Sequence, residues 1–457
     1  MGCKLNQLES EAIAGSFLEY GFTVIPYGQS FTGPEIKIIN TCTVTSKADQ
    51  KARRVIRKAL RDNPEACVLV TGCYAQLDRA EIEKIGDEYG NTYNVKRLFV
   101  AGTGKKGSGE EKSSILKLPR YLQEKLASME NPDLPFLLES WAAVAESDTS
   151  FSYKPHGFTF HSRAYLKIQD GCNGSCTYCR TRIARGSGVS LPAEEALEQL
   201  RYLEADAYAE LMITGVNISQ YSHGACNLAR LIKFLLEGSN TIALRLSSLE
   251  PEGITEELIS VIANPRVRPS FHLSIQSGSN TILQKMGRVY TSETVEKAAF
   301  LLRSAKNNPF LACDIISGFP GETCEDFNQT LELCKKIDFA WIHAFPYSKR
   351  PGTAAADYAG HICEKEVTNR VNTLHELAVQ GRKNYTGQWL GKEITAVVEK
   401  QKTQSGQCCA VSENYLKLIV NYDGGEPVSG SLIRCVPFDL CENSDGERPD
   451  AVANIIN

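Results

Sequence analysis

Hydrophobic and polar positions alternate in blocks along the middle of the chain, and this pattern predicts repeated pairs of a strand and a helix. Between residues 157 and 385, apolar runs of strand length are separated by segments with helical spacing, such as PAEEALEQLRYLEA. The apolar runs begin at Ala164, Ala209, Thr241, Ser270, Phe310 and Phe339. Six such pairs predict parallel βα units that form an open, partial TIM-like (βα)6 barrel.

The pattern changes on both sides of this region. Residues 1–105 predict an α/β unit, with a helix over 8–20, strands at EIKIIN and ACVLVTG, and a basic helix between the two strands. Residues 106–156 predict a linker with a loosely packed helical portion. The short β-prone runs of 386–449 predict a small β-barrel. We therefore expect an α/β protein with four segments, 1–105, 106–156, 157–385 and 386–449.

Composition places the chain among globular proteins with reduced thiols. The 457 residues, of which 42% are hydrophobic, suffice for about three domains. No apolar run has the length of a membrane span, and the first residues lack the hydrophobic core of a secretory signal. Sixteen cysteines without an export signal indicate metal chemistry rather than disulfides. We expect a cytoplasmic protein that has no membrane partner.

The net charge of −4 requires that any nucleic-acid contact come from a local basic surface. One candidate is the predicted basic helix, where Lys51, Arg54 and Lys58 share a face with Lys47 and Arg61. A solvated face and a phosphate contact both explain this pattern. The C-terminal segment is acidic, with six Lys and Arg against ten Asp and Glu over 386–457.

Cys172, Cys176 and Cys179 form a CxxxCxxC triad directly after the strand-like run AYLKIQ. Three thiolates hold three corners of a four-iron cluster, which leaves one iron open to a small molecule. The alternative is a zinc site, but structural zinc has four protein ligands and no second CxxC or HxxxH lies nearby. The spacing therefore favours an iron–sulfur cluster.

Several longer strings have a specific resemblance. They are GCKLNQLESE, INTCTVT, TGCYAQ, GCNGSCTYCRTRIARG, LRLSSLEP, HLSIQSGSNTILQKMGRVYT, DIISGFPGET, FPYSKRPGTAA and, more weakly, SENYLKLIV. Together they resemble the tRNA methylthiotransferase family of radical S-adenosylmethionine (SAM) enzymes over nearly the whole chain. RLSSLEP and HLSIQSGS resemble the branch that acts on threonylcarbamoyladenosine.

The resemblance implies two four-iron clusters and SAM as cofactors. The loop triad would bind the cluster that chelates SAM, and Cys3, Cys42 and Cys73 would bind an auxiliary cluster. Spacing alone makes each of these three a buried structural cysteine, which Cys67 is also expected to be.

The resemblance also points to residues that would contact SAM. These are Tyr178 at the adenine, Asn217 and Glu250 at the ribose or amino group, and the strand-end residues Thr214, Gly215 and Gln276. Packing for Tyr178, and helix capping for Asn217 and Glu250, are the alternative roles.

The implied reaction is methylthiolation of C2 of threonylcarbamoyladenosine at position 37 of tRNA, with two SAM molecules consumed. The implied partners are a tRNA anticodon stem-loop, an electron donor such as a flavodoxin or ferredoxin, and a sulfur source. Arg180, Arg182 and Arg185 would meet tRNA phosphates or the charge of the cluster. Isopentenyladenosine, a ribosomal-protein aspartate, and a non-enzymatic iron–sulfur protein that binds RNA or senses redox state remain as alternatives.

Two further expectations concern single residues. The family normally has a strand before the Gly-Cys pair that here follows Met1. We therefore expect either a misassigned start or a weakly held Cys3. His272 and His343 fall inside predicted strands and are expected to be core histidines, and we predict no Ser-His-Asp set.

Overall fold

The computed structural model describes eight stretches of the chain, and these form two compact units. The described residues are 3–26, 35–90, 95–101, 115–130, 133–143, 151–155, 157–441 and 448–456. The first unit comprises the chain up to residue 160 with 170–173 and 179–189, and the second comprises 161–169, 174–178 and 190–457. Most of the glycine-rich start of the predicted linker, 102–114, lies outside the described residues.

The first unit contains a parallel three-stranded sheet with helices packed against it. The strands, in sheet order, are β1 (Ile36–Thr41), β2 (Cys67–Gly72) and β3 (Leu98–Val100). The helices are α1 (Lys4–Glu19), α2 (Ser46–Asp62), α3 (Cys73–Leu77), α4 (Arg79–Tyr89), α5 (Leu118–Ser128), α6 (Leu134–Ala143) and α7 (Thr181–Arg185). The predicted first helix is thus confirmed, but it begins four residues earlier than its pattern indicated.

The apolar stripe of α2 explains both its position and its charge. Ala52, Ile56 and Leu60 are buried in a core cluster with Val68 and Val70 of β2. Thr45 caps the helix, because its hydroxyl accepts from the backbone N–H of Ala48 at 3.1 Å. The basic positions are left on the outer side.

The second unit is built on six parallel strands. They are β4 (Ala164–Asp170, whose last residue belongs to the first unit), β6 (Glu210–Gly215), β9 (Ala243–Leu246), β10 (Ser270–Gln276), β11 (Phe310–Ser317) and β12 (Trp341–Pro346). With the short β5 (Val189–Ser190) they form the sheets β5-β4-β6-β9 and β10-β11-β12. Two parallel bridges connect these sheets. Leu244 of β9 pairs with Val267, and Leu249, in the loop after β9, pairs with Leu273 of β10. The predicted partial TIM-like barrel is therefore confirmed.

Helices and a short hairpin connect these strands. The hairpin is β7 (Ser222–His223) and β8 (Cys226–Asn227), and the helices are α8 (Ala193–Ala205), α9 (Leu228–Glu237), α10 (Glu256–Ile262), α11 (Asn280–Lys285), α12 (Ser292–Ala305), α13 (Cys324–Ile337) and α14 (Glu364–Gly387). In the described part of the chain, no helix combines the length and the apolarity needed to cross a membrane.

The C-terminal segment folds into a closed five-stranded barrel. Its strands are β13 (Ile394–Lys402), β14 (Cys408–Ser412), β15 (Lys417–Asn421), β16 (Leu432–Leu440) and β17 (Ala451–Ile455), in the order β13-β14-β15-β17-β16. The sequence pattern missed β14 and β17. Because β17 follows residue 449, the barrel extends past the predicted boundary of 386–449.

Buried ion pairs join this small barrel to the parallel strands. Glu210 of β6 accepts from Arg245 at 2.7 Å and from Arg268 at 3.0 Å, and Arg245 also donates to the carbonyl of Ser412 at 3.0 Å. Burial opposes ionisation of Glu210, but these arginines outweigh it and lower its pKa to about 2. Arg382 of α14 donates to Asp450 at 2.7 Å.

Candidate functional site

The first unit brings the three N-terminal cysteines together through a pair of asparagines. Asn6, in the first turn of α1, donates to the side chain of Asn40 and to the carbonyl of Thr41, both at 3.0 Å. Asn40 donates back to the carbonyl of Asn6 at 3.0 Å. These buried bonds fix the start of α1 at the end of β1, so Cys3 lies beside Cys42.

Cys3 and Cys42 are close enough to interact, and this interaction separates their acidities. It lowers the pKa of the Cys3 thiol to about 6 and raises that of Cys42, because the Cys42 thiol stabilises a negative charge on the Cys3 sulfur. Cys3 also donates to Asn6 Oδ1 at 3.2 Å. The structure thus gives the exposed Cys3 specific partners, and the expectation that it is a weakly held ligand stays a prediction.

Cys73 reaches the same place because β2 ends in a glycine. Gly72 has a φ of +94°, and a Cβ there would lie 2.2 Å from the carbonyl oxygen of Thr41. Cys73 then begins α3 and is buried. Burial raises the pKa of Cys73, and the charge of Cys3 raises it further. Cys73 in turn raises the pKa of Cys42, so the three cysteines are close neighbours.

Arg185 completes this cysteine site. Its Nε donates to Cys73 Sγ at 3.1 Å, and its two terminal nitrogens donate to the Glu9 carboxylate at 2.8 and 3.0 Å. One of them also donates to Asp170 at 3.2 Å. Only 4% of Arg185 is exposed. The guanidinium is therefore committed to protein partners rather than to tRNA phosphates.

The other two arginines of this segment differ in exposure. Arg180 is buried and donates to Asp78 at 2.9 and 3.2 Å, whereas Arg182 is exposed. Of the three arginines predicted to contact phosphate, the structure leaves Arg182 accessible. The sequence did not reveal the acidic partners, because Asp78 and Glu9 are distant along the chain.

The CxxxCxxC loop follows β4, which is buried along its whole length. Gly171 has a φ of +68°, and a Cβ there would lie 2.1 Å from the carbonyl oxygen of Ser187. In the first unit, Cys172 N donates to Gly186 O at 3.1 Å. In the second unit, Thr177 N donates to Met286 O at 3.0 Å. Backbone bonds therefore shape the loop independently of any cofactor.

Its cysteines remain accessible for ligation. Cys172, Cys176 and Cys179 are all partly exposed, with Cys179 Sγ accepting from the backbone N–H of Thr181 at 3.4 Å. No three His, Cys, Asp or Glu side chains among the described residues are arranged around a single metal ion. A four-iron cluster has each thiolate on a different iron, so neither cysteine trio has to surround one point. Both trios supply the thiolate donors that such a cluster requires.

Strand ends of the second unit carry polar atoms that fit a small polar cofactor. Thr214 Oγ1 and Asn217 Oδ1 are buried without a hydrogen-bond partner in the described part of the chain. Gly215 ends β6 between these two residues, and in the loop that follows the backbone N–H of Asn217 donates to Gln169 Oε1 at 2.8 Å. Buried polar atoms are usually satisfied, so these two fit the prediction of SAM contacts.

Glu250 and Gln276 are held in different ways. Glu250 accepts from Arg288 with both oxygens at 3.0 Å, and burial raises its pKa while Arg288 opposes the shift. Gln276 ends β10 with a φ of +61°, a backbone conformation that residues other than glycine rarely adopt. Tyr178 packs edge-on to Phe319, with the Arg288 guanidinium 5.9 Å from its ring centroid.

The second unit also contains a Ser-His-Asp series, which contradicts the prediction that no such set exists. Ser248 Oγ lies 2.6 Å from His272 Nδ1, and His272 Nε2 lies 3.2 Å from Asp314 Oδ1. His343 packs its ring at right angles to that of His272, with centroids 5.3 Å apart. His343 is exposed and His272 is half-buried, so the expectation of core histidines is wrong. Register between strands, which the sequence does not reveal, creates this cluster.

Comparison with known proteins agrees with the fold and the cysteine loop. Residues 166–334 match the radical SAM superfamily, and residues 1–90 match the uncharacterized protein family UPF0004. The protein is therefore a radical SAM protein with an additional N-terminal domain. The radical SAM methyltransferase TsrM from Kitasatospora setae aligns with a TM-score of 0.48 and 14% identity, over 76% of this chain and 73% of its own.

Similarity over the full length identifies the family. Threonylcarbamoyladenosine tRNA methylthiotransferase MtaB of Treponema pallidum (strain Nichols) is 40% identical over 95% of this chain and 96% of its own length. The protein of the same name from Bacillus subtilis (strain 168) is 33% identical over 95% of this chain and 91% of its own. The chain belongs to the threonylcarbamoyladenosine branch of the radical SAM tRNA methylthiotransferase family and is a transferase. The family prediction is thus confirmed, and the non-enzymatic alternative is rejected.

Proposed function

We propose that this enzyme methylthiolates C2 of threonylcarbamoyladenosine at position 37 of tRNA, with two SAM molecules and two four-iron clusters. The convergence of Cys3, Cys42 and Cys73 in the first unit carries the proposal. A radical SAM enzyme that only abstracts hydrogen needs one cluster, whereas sulfur insertion needs a site that holds the sulfur. The 40% identity to a protein named for this substrate supports the same branch.

In this proposal, Cys172, Cys176 and Cys179 hold the cluster that binds SAM. When bound, this cluster supplies the electron that cleaves SAM to a 5′-deoxyadenosyl radical. Thr214 Oγ1 donates to an acceptor of SAM, and Asn217 Oδ1 accepts from its ribose hydroxyls or its ammonium group. Each thereby gains the hydrogen bond that it lacks within the described chain.

The auxiliary site has its own supporting residues. Cys3, Cys42 and Cys73 hold the second cluster, and Arg185 stays in place as the donor to Cys73 Sγ. Because Glu9 and Asp170 orient the Arg185 guanidinium from two further sides, the bond to sulfur has a fixed direction.

The proposal assigns roles to the segments and requires partners. Residues 1–105 carry the auxiliary cluster, 157–385 the SAM chemistry, and the C-terminal barrel from 386 contacts RNA, with 106–156 as the connection. Lys51, Arg54, Lys58 and Arg182 bind phosphates of the anticodon stem-loop in this proposal, which their exposure supports. A flavodoxin or ferredoxin supplies the electron and a separate source the sulfur, in the cytoplasm, where the tRNA is.

The test is mass spectrometry of nucleosides from total tRNA of cells with and without the gene. We expect 2-methylthio-threonylcarbamoyladenosine to disappear on deletion while threonylcarbamoyladenosine accumulates. Loss of 2-methylthio-isopentenyladenosine instead would show that the enzyme acts on isopentenyladenosine. Unchanged tRNA with loss of a methylthiolated ribosomal protein would show a protein substrate.

Complementation then tests the two clusters. Plasmid-borne Cys176→Ala and Cys42→Ala should each fail to restore the modified nucleoside, because each removes one ligand of one cluster. The matched control is Cys67→Ala, which removes another buried thiol from the strand that leads to Cys73. Restoration of the nucleoside by Cys42→Ala, at normal protein levels, would contradict a role for the auxiliary cluster.

A further inference from the structure

His343, Asp314 and His272 project from three neighbouring strands into the interior of the partial barrel. In the parallel register Asp314 is opposite His343, and His272 is opposite Ala312, so all three side chains share one face of the sheet. Cys313, on the alternate face, contacts Cys334 of helix α13. The face that carries the histidines is therefore the one that points away from this helix.

Both nitrogens of His272 lie beside polar side chains. Ser248 Oγ lies 2.6 Å from Nδ1, and Asp314 lies 3.2 Å from Nε2. The interaction with His272 helps to lower the pKa of Asp314 despite its burial. His272 thus lies between Ser248 and Asp314, and its Nε2 is buried beside the Asp314 carboxylate.

His343 differs, because one of its nitrogens faces the interior without a partner. Trp341 Nε1 donates to His343 Nδ1 at 3.2 Å. An indole nitrogen can only donate, so Nδ1 must be unprotonated and the neutral ring carries its proton on Nε2. Among the described residues, no group accepts a hydrogen bond from this Nε2.

The surroundings of His343 keep it neutral. Neighbouring atoms partly desolvate the ring although the residue is exposed, and this desolvation, followed by the influence of His272, lowers its pKa to about 4. Arg382 and Lys417 act in the same direction, and Asp314 opposes them. At neutral pH the ring therefore offers a neutral N–H donor of fixed tautomer.

The position of this donor suits a base that has left its RNA loop. β12 is an edge strand of the sheet β10-β11-β12, and His343 is exposed on the face that points away from α13. A nucleotide that a large substrate extrudes from its loop can reach an exposed donor of this kind. A single oriented donor there discriminates between nucleotides with and without an acceptor oxygen.

We propose that His343 is a specificity-determining residue, whose Nε2–H donates to an acceptor oxygen of the threonylcarbamoyl group on N6 of the target adenosine. This inference rests on the proposed function, because the substrate must carry that group. The carbonyl, hydroxyl and carboxylate oxygens of threonylcarbamoyl are acceptors, whereas an isopentenyl group has none. The Ser248, His272 and Asp314 series fixes the ring against which His343 packs.

The test compares anticodon stem-loop RNAs that carry threonylcarbamoyladenosine, unmodified adenosine or isopentenyladenosine at position 37. Binding to the cluster-loaded full-length enzyme and the kcat and KM of methylthiolation are measured. For His343→Phe, which keeps ring size but removes the donor, we expect the preference for the threonylcarbamoyl RNA over the unmodified RNA to fall roughly tenfold to a hundredfold. The loss should be in affinity and KM for that RNA, with unchanged affinity for the unmodified RNA.

Two variants separate this role from a structural one. His343→Gln places an amide donor near the position of Nε2 and should recover most of the preference. His375→Phe, the matched control, alters another exposed histidine that packs on the same Trp341 ring, at 6.2 Å, and should keep the full preference.

Three results would contradict this role of His343. An unchanged preference in His343→Phe, in an enzyme that methylthiolates the threonylcarbamoyl RNA, would overturn the inference and leave the proposed function intact. A loss of SAM affinity without RNA, in place of RNA preference, would also overturn it. A wild-type enzyme that modifies only the isopentenyl RNA would overturn both.

Discussion

Arg185 is the residue on which the auxiliary cysteine site depends most. Its guanidinium contacts one thiol and two carboxylates, and its side chain is 3% exposed. Removal of one member of a buried ionic group leaves the other charges without compensation, which is far more costly than the loss of a surface pair. The same residue would also orient Cys73 toward a cluster.

We predict that Arg185→Gln destabilises the first unit and empties the auxiliary site. Glu9 and Asp170 would lose their counter-ion, at a cost of about 3–5 kcal/mol. The experiment uses a background with Cys172, Cys176 and Cys179 replaced by Ala, so that bound iron reports the auxiliary site alone. Iron per chain and the unfolding temperature should both fall, whereas the exposed Arg182→Gln should retain about four iron atoms. Full iron content in Arg185→Gln would contradict this role.

For single residues, the sequence predicted which cysteines are candidate ligands better than it predicted which side chains pair with each other. The loop trio was identified from its spacing and the N-terminal trio from its surrounding strings, and the structure brings the N-terminal three together. Arg180 and Arg185 were expected to meet tRNA phosphates or the charge of the cluster, yet they pair with Asp78 and Glu9, which lie 102 and 176 residues away. Ser248, His272 and Asp314 were missed for the same reason. Charge pairing between distant segments is decided by folding, and no local pattern records it.

Among the secondary-structure elements, α2 carries the clearest candidate surface for RNA. Its buried stripe leaves Lys47, Lys51, Arg54, Lys58 and Arg61 exposed. By contrast, Arg53 donates to Tyr74 at 3.0 Å and Arg57 lies over the ring of Tyr89. The helix therefore divides its basic residues between an outer face and an inner set that packs.

Replacement of Lys51, Arg54 and Lys58 by Gln should weaken tRNA binding. If each contacts one phosphate, the slope of log affinity against log salt should become shallower by roughly two to three. Fold stability should change little, because these side chains are exposed and Lys58 forms its ion pair with the exposed Asp62. Replacement of Lys233, Lys335 and Lys336 by Gln removes the same charge from other surface helices and should leave the slope unchanged. Equal slopes in both triple variants would exclude α2 from the interface.

The ion-pair cluster around Glu210 predicts a specific pH dependence. Its pKa is lowered from 4.5 to about 2 in the folded protein, so its contribution is complete above pH 4.5 and is lost as pH falls toward 2. The full contribution is about 3 kcal/mol. The stability difference between wild type and Glu210→Gln should therefore shrink between about pH 5 and pH 3. Urea unfolding at several pH values measures this difference, with the exposed Glu256→Gln as control. A stability difference that stays constant between pH 5 and pH 3 would contradict the prediction.

Strand prediction succeeded where a run is apolar and uniformly buried. β2, β4, β6 and β11 were recognised almost to the residue. β14 and β17 were missed because their sequences, CCAVS and AVANI, are short and carry small residues. They become strands because closure of the barrel supplies hydrogen-bonding partners on both sides.

At the scale of the whole molecule, Asp450 connects the small barrel to the rest of the second unit. Its carboxylate accepts from Arg382 of α14 at 2.7 Å and from the backbone N–H of Lys417 at 2.7 Å. The Arg382 guanidinium in turn lies 4.6 Å from the ring centroid of Phe310 in β11. One acidic residue thus links the barrel, the long helix and the parallel sheet.

We predict that Asp450→Asn loosens these elements together. Hydrogen exchange followed by mass spectrometry should show faster exchange in β15, β17 and the end of α14, since Arg382 would lose its buried counter-ion at a cost of about 3–5 kcal/mol. Asp439→Asn, at an exposed position of the same barrel, should leave all three elements protected. Faster exchange in the barrel alone would mean that the barrel opens as an independent module.

The position of Arg185 along the chain has a consequence for the order of assembly during synthesis. Cys73 and the arginine that binds it are 112 residues apart, and the segment between them includes the whole CxxxCxxC loop. At typical translation rates this interval lasts roughly ten seconds. The N-terminal cysteines therefore leave the ribosome well before their last contact exists. The contact that completes the N-terminal cysteine site therefore forms only after the CxxxCxxC loop has been synthesised.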